Sequence, residues 1–227
     1  MVYRAFAFLI LLFFGNACNS DMVRGGLNEG QVEYDIQYLQ DERENPVIGL
    51  MPKTLNLTFK DRFISLKMEG WMGIFKTTII SNLEDNTSST LLKIMNNRYC
   101  YNSKLTDPAF GFDSMPGMLI CETGQVEERV GYSCNVAKVS FPDSLHIPSF
   151  KILYTRLTDV DSPNRYTPYH QINGVLMEFR LSMNGIPMVF TAKAVKKISV
   201  SPEEFKVPQG YELVNRQKLQ ELVDSLF

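Results

Sequence analysis

Few side chains in this 227-residue sequence are spaced in a way that would support catalysis or metal binding. The two histidines, His146 and His170, lie near prolines and not at a spacing that metal ligands use. We therefore interpret both as surface or turn residues. The sequence contains no nucleophile elbow, phosphate-binding loop, HExxH zinc motif or CxxC pair. We expect no enzymatic activity, no metal site and no cofactor.

Three cysteines, Cys100, Cys121 and Cys134, lie in the body of the chain. An odd number of cysteines cannot all pair within one chain. Cys121 and Cys134 could form a disulfide if they lie across neighbouring strands. The alternative is that the cysteines are small, buried, apolar side chains, and the sequence leaves the pairing open.

The amino-terminal residues carry a targeting signal. Residues 5–14 form an unbroken apolar run of ten residues after Arg4, whereas a membrane-spanning helix needs roughly 20. A short run after a positive start, followed by small residues, is typical of a secretory signal peptide. Residues 15–18 (GNAC) resemble the lipobox of bacterial lipoproteins, which implies cleavage after Ala17 and lipid attachment to Cys18. The alternatives are an ordinary secretory signal and an uncleaved anchor.

This interpretation divides the chain into a signal peptide (1–17), a polar tether (18–30) and a single domain (31–227). It predicts a lipoprotein of the bacterial outer membrane, on the periplasmic side, whose lipid anchor makes the membrane a partner. The net charge is −2 and the pI is about 5.8. Because the chain has no basic footprint, we do not expect it to bind nucleic acid. We expect a monomer.

The domain is predicted to be mainly β. Residues 31–39 alternate between apolar and polar side chains, which is the pattern of a strand with one buried face. Segments of this kind recur with short turns and without helices between them, which favours an antiparallel sheet. The predicted strands are residues 31–39, 55–59, 63–68, 70–81, 91–95, 99–102, 126–141, 150–155, 175–183 and 186–195.

The clearest hairpin has the turn Asn184-Gly185. Both residues tolerate positive φ, as a two-residue type I′ turn requires. Counting outward from this turn places Phe179 opposite Phe190 on an apolar face. Pro187 cannot donate a hydrogen bond to a neighbouring strand, so we expect an open sheet edge there.

The chain is predicted to end in a short helix. Asn215 is a suitable capping residue, and the apolar residues that follow it repeat at helical spacing. This apolar stripe predicts packing of the helix on the sheet, with a partner helix or a membrane surface as alternatives. Its members are Leu219, Leu222, Val223 and Leu226.

An apolar loop is the strongest candidate for a binding site. Residues 108–120 contain proline, glycine and aspartate, which predict a loop, yet they also carry large apolar side chains. The loop either plugs one end of the domain's own core or forms the mobile lip of an apolar pocket, with residues 163–169 as the opposite rim. The candidate ligand-binding residues are Phe110, Phe112, Met115, Met118, Tyr166, Tyr169 and Trp71.

Five short motifs occur in a familiar order. They are VEYDIQY (32–38), GYSCNVA (131–137), GVLMEF (174–179), NGIPM (184–188) and FKVPQGY (205–211). With this order the chain resembles the Bacteroidetes envelope lipoproteins of the DUF4412 and GLPGLI types, which are similar to the LolA/LolB/LppX-like lipoprotein-carrier fold. Residues 172–175 read Ile-Asn-Gly-Val and depart from the Gly-Leu-Pro-Gly motif of one of these families.

The resemblance implies a strongly curved antiparallel sheet, an incomplete barrel, whose concave face holds acyl chains or another apolar ligand. The first functional hypothesis is therefore a non-catalytic, lipid-anchored binding protein for a lipid or lipopeptide. The alternative is a structural or assembly lipoprotein that binds an envelope protein through its outer face or through residues 108–120.

Overall fold

The computed structural model describes residues 26–160 and 162–225, and these residues form one open sheet of 12 strands. The predicted signal peptide, Cys18, most of the tether and Leu226 lie outside the described residues. Within the described ranges, none of the helices is both long and apolar enough to cross a bilayer. The strands are β1 (Glu29–Tyr38), β2 (Thr54–Lys60), β3 (Phe63–Glu69), β4 (Phe75–Asn82), β5 (Thr87–Ile94), β6 (Asn97–Lys104), β7 (Leu119–Arg129), β8 (Tyr132–Ser140), β9 (Phe150–Thr155), β10 (Val175–Met183), β11 (Ile186–Lys196) and β12 (Glu212–Leu213).

Short helices connect some of these strands. Four are 3₁₀ helices, at Pro46–Leu50, Trp71–Gly73, Asp143–Leu145 and Pro202–Phe205. The α-helix α1 spans Arg216–Asp224 near the carboxyl end. The predicted capping residue is confirmed, because Asn215 Oδ1 accepts a hydrogen bond from the Lys218 backbone N–H at 2.8 Å.

The strand order is β12-β6-β5-β4-β3-β2-β1-β11-β10-β9-β8-β7. Strands β1 to β6 are neighbours in sequence order, as are β7 to β11, and β1 pairs with β11 to join the two halves. All pairs are antiparallel except that of β12 with β6. The sheet does not close into a barrel. The predicted fold class, a mainly β incomplete barrel with a short carboxyl-terminal helix, is confirmed.

The core lies on the concave face because the strand register aligns the apolar positions of successive strands. Val32 of β1 lies opposite Leu57 of β2, which lies opposite Leu66 of β3. On the other half of the sheet, Phe179 and Phe190 stack with ring centroids 4.9 Å apart, opposite each other as predicted. One continuous apolar cluster therefore spans both halves of the sheet.

The carboxyl-terminal segment passes from the convex face to the concave face around the β6 edge. On the convex face, Phe205 and Tyr211 cover a small cluster of Ile80, Leu91 and Cys100. After β12, helix α1 inserts Leu219 into the main core, where this side chain is fully buried. The predicted packing of the helix on the sheet is confirmed for the described residues of its apolar stripe.

Four predicted element boundaries are wrong. Residues 126–141 are not one strand: Val130 and Gly131, both with positive φ, turn the chain between β7 and β8. Strand β7 begins at Leu119, within the predicted loop. Residues 70–81 begin with the helix Trp71–Gly73, and the strand starts only at Phe75. Strand β1 begins at Glu29, inside the predicted tether.

The predicted turn at Asn184-Gly185 is confirmed, with φ of 48° and 73°. The open edge predicted at Pro187 is wrong, because β11 has β1 on one side and β10 on the other. Pro187 is tolerated because β1 ends at Tyr38, just where the missing N–H would have been needed. Its carbonyl still accepts a hydrogen bond from the Leu39 N–H at 2.9 Å.

The three cysteines in the described part of the chain do not pair. Cys121 and Cys134 lie on the neighbouring strands β7 and β8, but Cys121 is opposite Lys138 and Cys134 is opposite Glu127. Cys100, Cys121 and Cys134 are all free. Burial raises the pKa of the Cys100 and Cys134 thiols, which is the behaviour of small core residues. Cys121 is exposed.

The stacked pair in the core gives a test of the sheet. We expect Phe190→Ala to lower the free energy of unfolding by about 3–5 kcal/mol, because it leaves a cavity under a fully buried ring. The matched control is Val189→Ala, a half-buried neighbour on the opposite face, with an expected cost of about 1 kcal/mol. Urea denaturation followed by circular dichroism measures both. Equal costs would contradict the assignment of the concave face as the core.

Candidate functional site

The open side of the sheet is crossed by residues 105–118, which we call the strap. The strap connects β6 to β7, and these two strands lie toward opposite edges of the sheet. The chain reaches the far edge by passing over the concave face, where its apolar side chains pack with the main core. The predicted apolar loop lies in this connection, which explains why its large side chains face the domain's interior.

Phe110 is the strap residue that enters the interior. Its side chain is only 2% exposed, and its ring packs against that of Tyr101 with centroids 6.0 Å apart. The guanidinium of Arg216 lies 5.6 Å from the ring centroid, at the distance of a cation–π contact. The next residue, Gly111, has φ of +83°. A side chain at that position would be strained, so glycine allows the strap to turn immediately after the buried ring.

Polar contacts at three points hold the strap. The Phe110 backbone N–H donates to the Tyr166 hydroxyl at 2.9 Å. The Asp113 backbone N–H donates to the Ser182 carbonyl at 2.8 Å, and Asp113 Oδ2 accepts from the Gly185 N–H at 2.8 Å. Arg216 donates to the Pro108 carbonyl at 2.9 Å. The strap is thus tied to the loop between β9 and β10, to the β10–β11 hairpin and to α1.

A second loop, between β9 and β10, also covers the concave face. Its Tyr166 hydroxyl lies 3.4 Å from Thr90 Oγ1 of β5, and Tyr169 donates to the Arg180 carbonyl. Asn164 fixes the loop by donating to the carbonyls of Ile172 and Gly174 at 2.8 and 2.7 Å. Tyr166 and Tyr169 are buried, so the loop completes the core from above.

The space that remains under the strap is small and apolar. The cavity has a volume of about 30 Å³, whereas pockets for small molecules typically measure about 300–1,000 Å³. Phe110 and Phe112 of the strap form part of its wall, opposite side chains of the sheet such as Met68, Leu92 and Met188. The concave face is therefore apolar, and the protein's own side chains fill most of it.

A larger groove lies outside the strap, between the strap and the second loop. Its volume is about 750 Å³. Phe112 lines both this groove and the inner cavity, so the strap is the wall that separates the two spaces. The other groove residues used below are Asp107, Asp113, Met115, Met118, Arg165 and Arg216.

The structure brings six of the seven candidate binding residues together. Phe110, Tyr166 and Tyr169 are buried beneath or beside the strap, and the remaining strap residues Phe112, Met115 and Met118 are half-buried against the core. The exception is Trp71, which is 55% exposed on the connection between β3 and β4. Arg216 could not be singled out from the sequence, because nothing in the pattern of its helix indicates that it faces the Phe110 ring.

These features define a class of protein: a half-barrel with an apolar concave face covered by an edge-to-edge strap. No known protein family and no curated protein matches the sequence. The fold is similar to a solved structure of PNGF-II in space group P21, with a TM-score of 0.53 and 13% sequence identity. The match covers 88% of this chain but only 34% of that one. At this identity the similarity concerns the fold alone.

Four tyrosines have pKa values raised by burial. The pKa of Tyr154 is raised to about 12, mainly because the phenol is desolvated by burial and secondly because it contacts the carboxylate of Glu122. Burial also raises the pKa of Tyr34, Tyr38 and Tyr169 above the ordinary range. The Tyr34 hydroxyl donates to the Leu176 carbonyl at 2.8 Å, so ionisation of Tyr34 would break a contact between β1 and β10.

We expect these tyrosines to make the fold sensitive to alkali. Their stabilising effect is complete below the unfolded-state pKa of about 10 and is lost as the pH rises through the folded-state values. The free energy of unfolding in urea should therefore fall between about pH 9 and about pH 11.5. Tyr34→Phe removes one ionisable group and should make this decline shallower. An unchanged slope in the variant would contradict the assigned role of Tyr34.

Proposed function

We propose that this chain is a non-catalytic, lipid-anchored protein of the bacterial envelope that binds an apolar ligand inside its half-barrel. The observation that carries the proposal is the position of Phe110. This side chain of the strap is buried against the apolar concave face and occupies space there that no side chain of the sheet occupies. In this proposal Phe110 holds the place of the ligand until the strap moves. The motif resemblance and the predicted lipidation at Cys18 support the envelope assignment.

Strap movement is needed because the inner cavity is too small for a lipid. Phe112 belongs to both the cavity and the outer groove, so displacing the strap would join the cavity to a groove of about 750 Å³. The joined space falls in the range of ligand pockets, about 300–1,000 Å³. The groove offers a path by which the ligand reaches the concave face.

The chemistry of the site favours recognition by burial of apolar surface. In the outer groove, Arg165 and Arg216 are balanced by Asp107 and Asp113, so the charges give no clear preference for an acidic or a basic ligand. Each buried methylene contributes about 0.8 kcal/mol. An acyl chain or a similar apolar molecule can therefore bind without a dedicated polar site.

Replacing Phe110 tests the proposal. We expect Phe110→Ala, made in the chain from Asn19 onward, to bind the neutral dye N-phenylnaphthylamine about tenfold more tightly than the unmodified chain. The reason is that the ligand no longer has to displace a buried ring. The matched control is Phe205→Ala, which removes the same side chain from the convex face and should leave dye affinity unchanged.

A locked strap provides the opposite test. Asp113 and Ser182 are adjacent through a backbone hydrogen bond, so Asp113→Cys with Ser182→Cys, in a Cys121→Ser background, should form a disulfide that fixes the strap. We expect the oxidised variant to lose dye and fatty-acid binding and the reduced variant to regain it. Equal binding in both forms would refute the moving strap. If neither this variant nor Phe110→Ala bound dye, the cavity proposal would fail and the assembly alternative would be favoured.

A further inference from the structure

Four exposed apolar side chains lie in the turns at one end of strands β1 to β6. They are Leu50, Trp71, Met72 and Met95, which are 48%, 55%, 81% and 68% exposed. We call this group the tip. Large apolar side chains exposed as a group indicate a surface that is covered by another molecule.

The turns that form the tip are joined to one another. The Met95 backbone N–H, between β5 and β6, donates to the Ile74 carbonyl, between β3 and β4, at 2.8 Å. Met72 and Met95 have φ of 50° and 52°, a conformation in which glycine, asparagine or aspartate is normally found. Methionine is therefore not favoured at these positions by the backbone conformation, and its exposed side chain does not contribute to the core. Packing within the chain does not explain why methionine is present there.

A row of positive charges lies directly behind the tip. Lys76 of β4 is opposite Lys93 of β5, and Lys93 is opposite Arg98 of β6. Each is the second residue from the strand end that carries the tip, about 7 Å along the strand. Like charges placed directly opposite one another destabilise a sheet. Three in register therefore indicate a surface selected for something other than stability.

The cations of this row are only partly neutralised by acids of the chain. Glu69 lies 3.4 Å from Lys76, but across residues 26–160 and 162–225 neither Lys93 nor Arg98 forms an ion pair. The row borders a convex groove of about 390 Å³. The two glutamates of that groove are already engaged, Glu204 with Lys67 and Glu203 with Lys206. The groove therefore keeps a local positive charge in a chain whose net charge is −2.

We propose that the tip and the Lys76–Lys93–Arg98 row dock on an anionic membrane surface. Trp71, Met72 and Met95 would enter the interfacial region while the cations meet the lipid phosphates. Exposed tryptophan and aliphatic side chains next to lysine and arginine are the combination that binds such surfaces. The charge of the row complements the lipid phosphates, which commits the proposal to a membrane rather than to an apolar protein partner.

This docking goes beyond the proposed function and does not depend on it. Strand β1 runs from Glu29 at the opposite end of the sheet to Tyr38 at the tip end, so the described chain begins far from the tip. Membrane binding through the tip can therefore be measured without the predicted anchor. The chain from Asn19 onward contains every element of the described fold. The tip variants leave the strap and Phe110 unaltered.

The protein offers its own reporter, because Trp71 is the one tryptophan of the chain. We expect vesicles of phosphatidylglycerol and phosphatidylcholine in equal parts to shift Trp71 fluorescence to shorter wavelength and to sediment the protein. Pure phosphatidylcholine vesicles should do neither. Lys93→Gln with Arg98→Gln should weaken binding on the order of 10- to 30-fold. Met72→Ser with Met95→Ser should reduce both binding and the fluorescence shift.

Two matched controls separate the tip from general surface effects. Val126→Ser with Val130→Ser removes exposed apolar groups from the opposite end of the sheet, and Lys138→Gln with Lys197→Gln removes two exposed charges elsewhere. Both should bind vesicles like the unmodified chain. The proposal is overturned if anionic vesicles do not bind the protein or if the tip and control variants bind them equally. It is also overturned if inorganic phosphate alone saturates the cation row and does so equally well in the unmodified chain and in the Met72→Ser, Met95→Ser variant.

Discussion

The pairing of β1 with β11 is the constraint on which the rest of the structure depends. The strands β1 to β6 and β7 to β11 each form a simple meander, and joining β1 to β11 places β6 and β7 toward opposite edges. The chain between those two strands crosses the open side, where Phe110 joins the main core. The strap, the burial of Phe110 and the small size of the inner cavity all follow from that topology, because the segment that covers the core is rich in apolar side chains.

The same arrangement sets the energetics of opening. Exposing the Phe110 ring costs about 2–3 kcal/mol of lost burial, and the hydrogen bonds of Asp113 and Arg216 add to this cost. A ligand that buries about four methylenes offsets the loss of the ring. The closed strap is therefore stable on its own, yet within reach of a lipid chain. A fully polar strap would not protect the core, and a β-strand in its place would close the sheet permanently.

The sequence predicted the features that depend on local pattern. Alternation identified most strands, and the Asn184-Gly185 turn fixed the register of β10 and β11. It failed where the answer depends on distant partners. The turn at Val130-Gly131 lies within a continuous β pattern in the sequence. Pro187 suggested a sheet edge because the sequence around the proline does not show where β1, its neighbour in the sheet, ends. Whether Phe110 plugs a core or lines a pocket depends on the path of the strap, which no local pattern contains.

The tip and the cavity are related by the course of the strands. The residues that wall the cavity include Tyr38, Pro52 and Phe75, which lie at the strand ends that also carry the tip. A membrane contacted by Trp71 and Met72 would therefore lie beside the apolar end of the cavity. The cost of moving an acyl chain through water, about 0.8 kcal/mol per methylene, would be avoided along such a path. The position of the exposed tip next to the apolar cavity is thus explained by transfer of an acyl chain between membrane and cavity, whereas neither feature alone explains it.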